Sequence, residues 1–322
     1  MKHSLPITVI LLIVFVCSQL IGLLIISQYI DVSLSSSSGK TVVNQDLYSI
    51  TGIAPPPVAN ESVSFIYILI AVAVGTVLVL LIIRFKQGSI WKAWFFLSVV
   101  ITMAIALVPF VQMALGPYKQ TTLYVTGAIV VSLAFFKVFK PNVFVHNITE
   151  VFVYGGIAAL FVPILNLWSV LALLVAISVY DMWAVWKSKH MVRMAQFQAT
   201  EKIFAGVLIP YKGAPQISSN QRKSAKAEAP KARSAILGGG DIAFPLLFAG
   251  VMLKISASFW PAFIIVIFTT IALALLFFRG RTDTFYPAMP FITAGCFAGF
   301  IAAWGFSYRF DIAWILKAFA FG

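Results

Sequence analysis

The chain has 322 residues, of which 61% are hydrophobic and only 10% charged, with a mean hydropathy of +0.98. A soluble domain of that size could not cover its surface with so few polar groups, so the composition points to a polytopic membrane protein. The net charge of +13 sits in short loops between apolar runs, with no aromatic-plus-basic groove, which argues for membrane orientation and against nucleic-acid binding.

In chain order, Met1-Lys2-His3 precede an apolar run too long for the ~7–15 residues of a signal-peptide core, so it reads as a retained first span. A helix needs ~20 apolar residues to cross the hydrocarbon. By that measure nine segments qualify, at about 5–29, 62–84, 91–115, 121–139, 147–163, 166–186, 237–257, 260–279 and 287–306. The fifth is short and carries Gly155-Gly156; Pro163 and Asn166 separate it from the sixth. Residues 31–61, with Ser35 to Ser38 and Pro55-Pro56-Pro57, read as an outer loop without a core of its own. Residues 187–206 keep helical spacing with basic residues, as an amphipathic helix on the inner surface would. Residues 212–235, rich in Lys, Ser, Ala, Gln and Pro, read as a flexible linker.

A cytoplasmic N-terminus places 18 of the 23 basic residues inside and five outside (Lys40, Lys119, Lys254, Arg309 and Lys317). The positive-inside rule favours this arrangement. The expected fold is an all-α polytopic membrane protein with about nine transmembrane helices, its N-terminus cytoplasmic and its C-terminus outside. It divides into a six-span part (1–206), a cytoplasmic loop (207–235) and a three-span part (236–322). Cys17 and Cys296 both lie in apolar segments and read as packing residues rather than a disulfide.

Two carboxylates stand out. Asp181 lies within the sixth predicted span and Asp241 within the seventh, while the other eight acidic residues fall in loops, at span edges or in the tail. An ionisable group inside a bilayer is costly, and so marks a site. Asp181 precedes Lys187 by six residues and Asp241 follows Arg233 by eight, which at ~1.5 Å per residue puts them ~9 and ~12 Å from the inner basic boundary. Consecutive helices thus carry two carboxylates at similar depth. Such a pair can share one proton, one member activating water and the other donating to the carbonyl oxygen and leaving amine. The same pair would equally serve a proton-coupled transporter. Glu150 and His146, near the fifth span, read as interfacial.

The surrounding motifs separate these readings. Tyr180-Asp181, Gly238-Gly239-Gly240-Asp241 and Pro287-Ala288-Met289-Pro290 occur in that order on the sixth, seventh and ninth spans. The chain resembles the presenilin and signal peptide peptidase family of GxGD intramembrane aspartyl proteases, whose YD, GxGD and PAL motifs occupy these places, and looks like an archaeal-type presenilin homologue. Met289 stands where that family usually has Leu; the two are similar in volume, so a packing role should survive.

The resemblance implies an intramembrane aspartyl endopeptidase acting on transmembrane helical proteins, in a multi-pass protein of the cell membrane. It makes Asp181 and Asp241 the catalytic pair, with Tyr180, Gly238, Gly239, Gly240, Pro287, Ala288, Met289 and Pro290 as substrate-binding or supporting residues. The alternatives are the proton-coupled transporter, for which no inverted repeat is evident, and a prepilin-peptidase-like GxGD protease, which should have fewer spans and no late proline motif. No metal-ligand cluster is present and no cofactor is expected: His3, His146 and His190 are scattered.

A helical substrate must unwind to be cut, and unwinding frees backbone groups that lipid cannot satisfy. Leu208-Ile209-Pro210-Tyr211 and Ala235-Ile236-Leu237, on either side of the loop, are candidates to form a strand pair when substrate docks.

Overall fold

The computed structural model describes residues 5–58, 60–188, 194, 197–198, 203–210, 234–280 and 286–321. Among these, nine helices are long and apolar enough to cross a membrane: Leu5–Tyr29, Glu61–Arg84, Gly88–Leu115, Lys119–Val138, Val143–Ile164, Leu167–Lys187, Gly239–Ser256, Phe259–Arg279 and Met289–Tyr308. They are the first to ninth spans below. The fifth is not short; it starts at Val143, capped by the Asn142 side chain, and reaches Ile164.

The spans differ in how deeply they are embedded in protein. Two-thirds of the fifth and of the seventh is buried (67% each), against 6% of the second. The seventh contacts the first, fifth, sixth, eighth and ninth, so it forms the centre, while the second packs at the periphery against the third and sixth. Apolar surface turned to lipid gains nothing by burial, so close backbone approach carries much of the packing. Gly156 shows it: a Cβ there would lie 1.9 Å from the Thr102 carbonyl oxygen, so only glycine lets the fifth span meet the third.

One expectation is corrected in the segment between the first and second spans. Residues 31–61 are not coreless, because short helices Val32–Ser38 and Gln45–Thr51 form there, capped by Asp31 and Asn44. Leu47, Tyr48 and Ile50 are buried against the first, third and fifth spans, and the Tyr48 hydroxyl donates to the Ala159 carbonyl at 2.6 Å. Burial, and secondarily the neighbouring Tyr29, push the Tyr48 phenol well above its ordinary pKa. Lys254, counted among the five outside basic residues, is the fully buried end of the seventh span. Its Nζ donates to Thr41 Oγ1 (2.7 Å), to the Leu165 carbonyl (2.7 Å) and to Glu61 Oε2 (3.1 Å). A further helix, Ile312–Phe319, follows the ninth span.

The end of the bundle that carries the start of the seventh span is not wholly helical. Strand β1 (Gly206–Pro210) and strand β2 (Ser234–Gly238) pair antiparallel, Gly206 opposite Gly238 and Pro210 opposite Ser234. The pair exists in the chain by itself and does not wait for substrate, and each strand is about two residues displaced or extended from the stretch expected of it. The residues between the strands, and most of the amphipathic helix expected over 187–206, lie outside the described residues; a π-helical turn, Ala184–Ser188, extends the sixth span.

Candidate active site

Asp181 sits in the last helical turn of the sixth span, with 8% of its surface exposed. Its carboxylate faces the start of the ninth span, where Ala288 is the N-cap and Met289 the first helical residue. A helix start leaves several N–H groups without an internal acceptor. Pro287 and Pro290 have no N–H to offer, so Ala288 and Met289 hold the free donors. Both are given to Asp181: the Met289 N–H reaches Oδ2 at 3.1 Å, and the Ala288 N–H also hydrogen-bonds the carboxyl. The proline motif thus presents two amides and the positive end of a helix to a buried carboxylate. One helical turn away, Ser178 and Thr293 hydroxyls meet at 2.7 Å and Thr293 also donates to the Leu174 carbonyl, tying the sixth span to the ninth.

Asp241 is half-buried in the first turn of the seventh span, whose N-cap is Gly238. Its carboxyl folds back over that cap: a Cβ on Gly238 would lie 3.2 Å from Oδ2. Gly240 is exposed, whereas Gly239 lies against the hydroxyl of Tyr154, which would sit 2.7 Å from a Cβ at 239. The sixth, seventh and ninth spans pack on one another, so the segments carrying both aspartates and the proline motif belong to one three-helix junction. Tyr180 turns to the second span, its hydroxyl 3.3 Å from that of Thr76.

Strand β2 runs directly into the glycine motif, ending at Gly238, three residues before Asp241. The register of the sheet decides which backbone groups face outward. The Leu208 N–H is turned away from β2 and donates to Asn147 Oδ1 at 3.0 Å, while the Leu208 carbonyl accepts from Asn147 Nδ2 at 2.9 Å. The Gly206 carbonyl meets His146 Nε2 at 2.7 Å. Both residues therefore point away from β2, and in an antiparallel ladder so do their opposites, Ile236 and Gly238, away from β1. The outer edge of β1 is closed by the fifth span; that of β2 presents Ile236 and Gly238. Gly206 is glycine of necessity: its φ is +146°, and a Cβ would lie 2.3 Å from the Leu237 carbonyl oxygen.

Sequence alone did not mark the N-terminal end of the fifth span as part of the site. Glu150 is buried rather than interfacial, its Oε1 bound to Lys137 and its Oε2 accepting from the Tyr154 hydroxyl. His146, Asn147, Glu150 and Tyr154 recur at helical spacing on one face, a polar stripe inside an apolar segment that could have marked them. Among the described residues no three His, Cys, Asp or Glu side chains gather as a metal site.

The family of signal-peptide peptidases and presenilin aspartyl proteases matches residues 11–308 of the chain. The chain belongs to this family. It is an aspartic endopeptidase and a multi-pass integral membrane protein. The fold agrees: a solved presenilin family intramembrane aspartate protease, in space group C222, superposes with a TM-score of 0.60 at 17% identity, covering 93% of this chain and 99% of that one. The same description in space group P2 gives 0.58 at 16% identity, covering 92% and 96%. A comparison with curated proteins gave no match.

Proposed function

We propose that Asp181 and Asp241 are the catalytic pair of this protease and that it cuts peptide bonds within transmembrane segments of other membrane proteins. The observation that carries the reading is the meeting of the proline motif with Asp181. Two backbone amides at a helix start are spent on one buried carboxylate, beside the span that opens with Asp241. Water held between two carboxylates is activated by one and the scissile carbonyl is protonated by the other. The unwound substrate lies along the outer edge of β2, where Ile236 and Gly238 supply the donors and acceptors it loses on leaving its helix. Gly238 and Gly240 keep that approach clear, and Tyr180 steadies the sixth span against the second. The N-terminus is cytoplasmic and the C-terminus outside, the protein resides in the cell membrane, and parts 1–206 and 236–322 each bring one aspartate to the site.

The test is cleavage of a tagged single-span peptide by the purified protein in lipid, with Asp181→Ala and Asp241→Ala alongside and products read by mass spectrometry. Cuts within the span that vanish in both variants are expected. Cleavage that survives either change refutes the assignment.

A further inference from the structure

The Lys137–Glu150–Tyr154 chain is a buried polar network that the proposed chemistry does not use. Lys137 and Glu150 are 2% exposed each, and Tyr154 3%. Lys137 Nζ also donates to Thr149 Oγ1 at 2.9 Å, so the cation is held on two sides. Burying such a pair costs several kcal/mol per ion before the attraction offsets it, so it is weak evidence for stability as such. It does fix Tyr154. With its proton donated to Glu150, the hydroxyl cannot swing away without stranding a buried carboxylate oxygen. That fixed oxygen lies against Gly239, the variable position of the glycine motif, and within electrostatic reach of Asp241.

We propose that Tyr154, locked by Glu150 and Lys137, is a positioning residue for Asp241. Its hydroxyl is the stop against which the Gly238–Gly240 backbone rests, and this sets where the carboxyl is presented. The inference rests on Asp241 being catalytic. It also explains why this chain carries glycine at 239. A Cβ there would meet the hydroxyl at 2.7 Å, then ring carbons at 3.0 and 3.3 Å. Relief requires either the loop to lift or Tyr154 to release Glu150. The next turn of the fifth span binds β1 through His146 and Asn147, so one helix face holds both the sheet and the loop that follows it.

The experiment is a double-mutant cycle on the purified full chain, measuring kcat and KM for a tagged single-span peptide. Gly239→Ala should lower kcat about ten- to a hundredfold, the scale of a misplaced catalytic group, with KM within about twofold. Tyr154→Phe removes the hydroxyl and leaves the ring carbons at 3.0 and 3.3 Å, so adding Gly239→Ala to it should cost no more than about threefold further. Fold-losses that multiply, or a change confined to KM, overturn the proposal. If Gly239→Ala fails to fold, Tyr154→Phe and the paired replacement Glu150→Leu/Lys137→Met, which leaves no unpaired buried charge, carry the test. Each removes the Tyr154–Glu150 hydrogen bond, so both should slow kcat alike and the two combined no further. Wild-type kcat in both overturns it. An Asp241→Ala control that still cleaves refutes the catalytic pair itself, whatever the cycle gives.

Discussion

Lys254→Met probes how the far end of the seventh span secures the end that carries Asp241. Lys254 has no exposed side-chain surface, and its partner Glu61 keeps 17%. Its ammonium joins Thr41, between the first and second spans, and Glu61, at the start of the second, to the Leu165 carbonyl between the fifth and sixth spans, and lies 5.0 Å over the Phe321 ring. Removing one member of a buried pair costs about 3–5 kcal/mol, and the remaining hydration of Glu61 puts this case near 3. At ~2 °C per kcal/mol for a long chain, the Tm should fall by roughly 6 °C. Cys296 is fully buried in the ninth span, so thiol-reactive fluorescence in a Cys17→Ser background reports unfolding directly. The double variant Lys254→Met/Glu61→Gln should lose clearly less than the sum of the single losses, because it leaves no unpaired carboxylate. An unchanged Tm, or strict additivity, refutes the view that this cation closes the C-terminal end of the seventh span.

Gly156→Ala should destabilise the fold by the ~1–3 kcal/mol of overpacking or more and so lower the Tm, whereas Gly127→Ala, with nothing within 4 Å, should be neutral or mildly stabilising; equal effects in melting refute the close contact with Thr102. Asn147→Ala leaves both Leu208 backbone groups without their partner, so hydrogen-exchange protection at 234–238 should fall and substrate KM rise about three- to tenfold. Unchanged protection counts against the fifth span as the wall of the sheet. Tyr48→Phe should cost ~1 kcal/mol at neutral pH through loss of the bond to Ala159. Because the folded phenol holds its proton more tightly, its contribution is present below the unfolded pKa of ~10 and lost as pH rises through the higher folded value. The gap in melting temperature between wild type and variant should therefore narrow above pH ~10; a constant gap refutes the burial account.

The nine spans were legible because the bilayer imposes a length and a polarity that each segment satisfies locally. Asp181 and Asp241 stood out for the same reason, as charges where charge is costly. The proline motif was recognised from its order in the chain, but its task was not. That Ala288 and Met289 donate to Asp181 depends on two helices meeting that are separated by more than a hundred residues. The outer helices Val32–Ser38 and Gln45–Thr51 were missed because each is seven residues long, too short to show a period, and is held by capping and by burial against distant spans.

Lys254, Glu150 and Lys137 mark the boundary most clearly. Read along the chain, a lysine at the end of an apolar run is an orientation signal and a glutamate at its edge is interfacial. In three dimensions all three are buried with partners from other spans. Sequence by itself determined the number of spans, the residues able to do acid–base chemistry in a membrane and their order, since hydropathy and ionisation belong to single residues. Only the tertiary structure decided that β1 and β2 are already paired, which edge of the sheet is closed, and that Gly239 rests on Tyr154. Those features are contacts between segments far apart in the chain, and their energies exist only once the helices have packed.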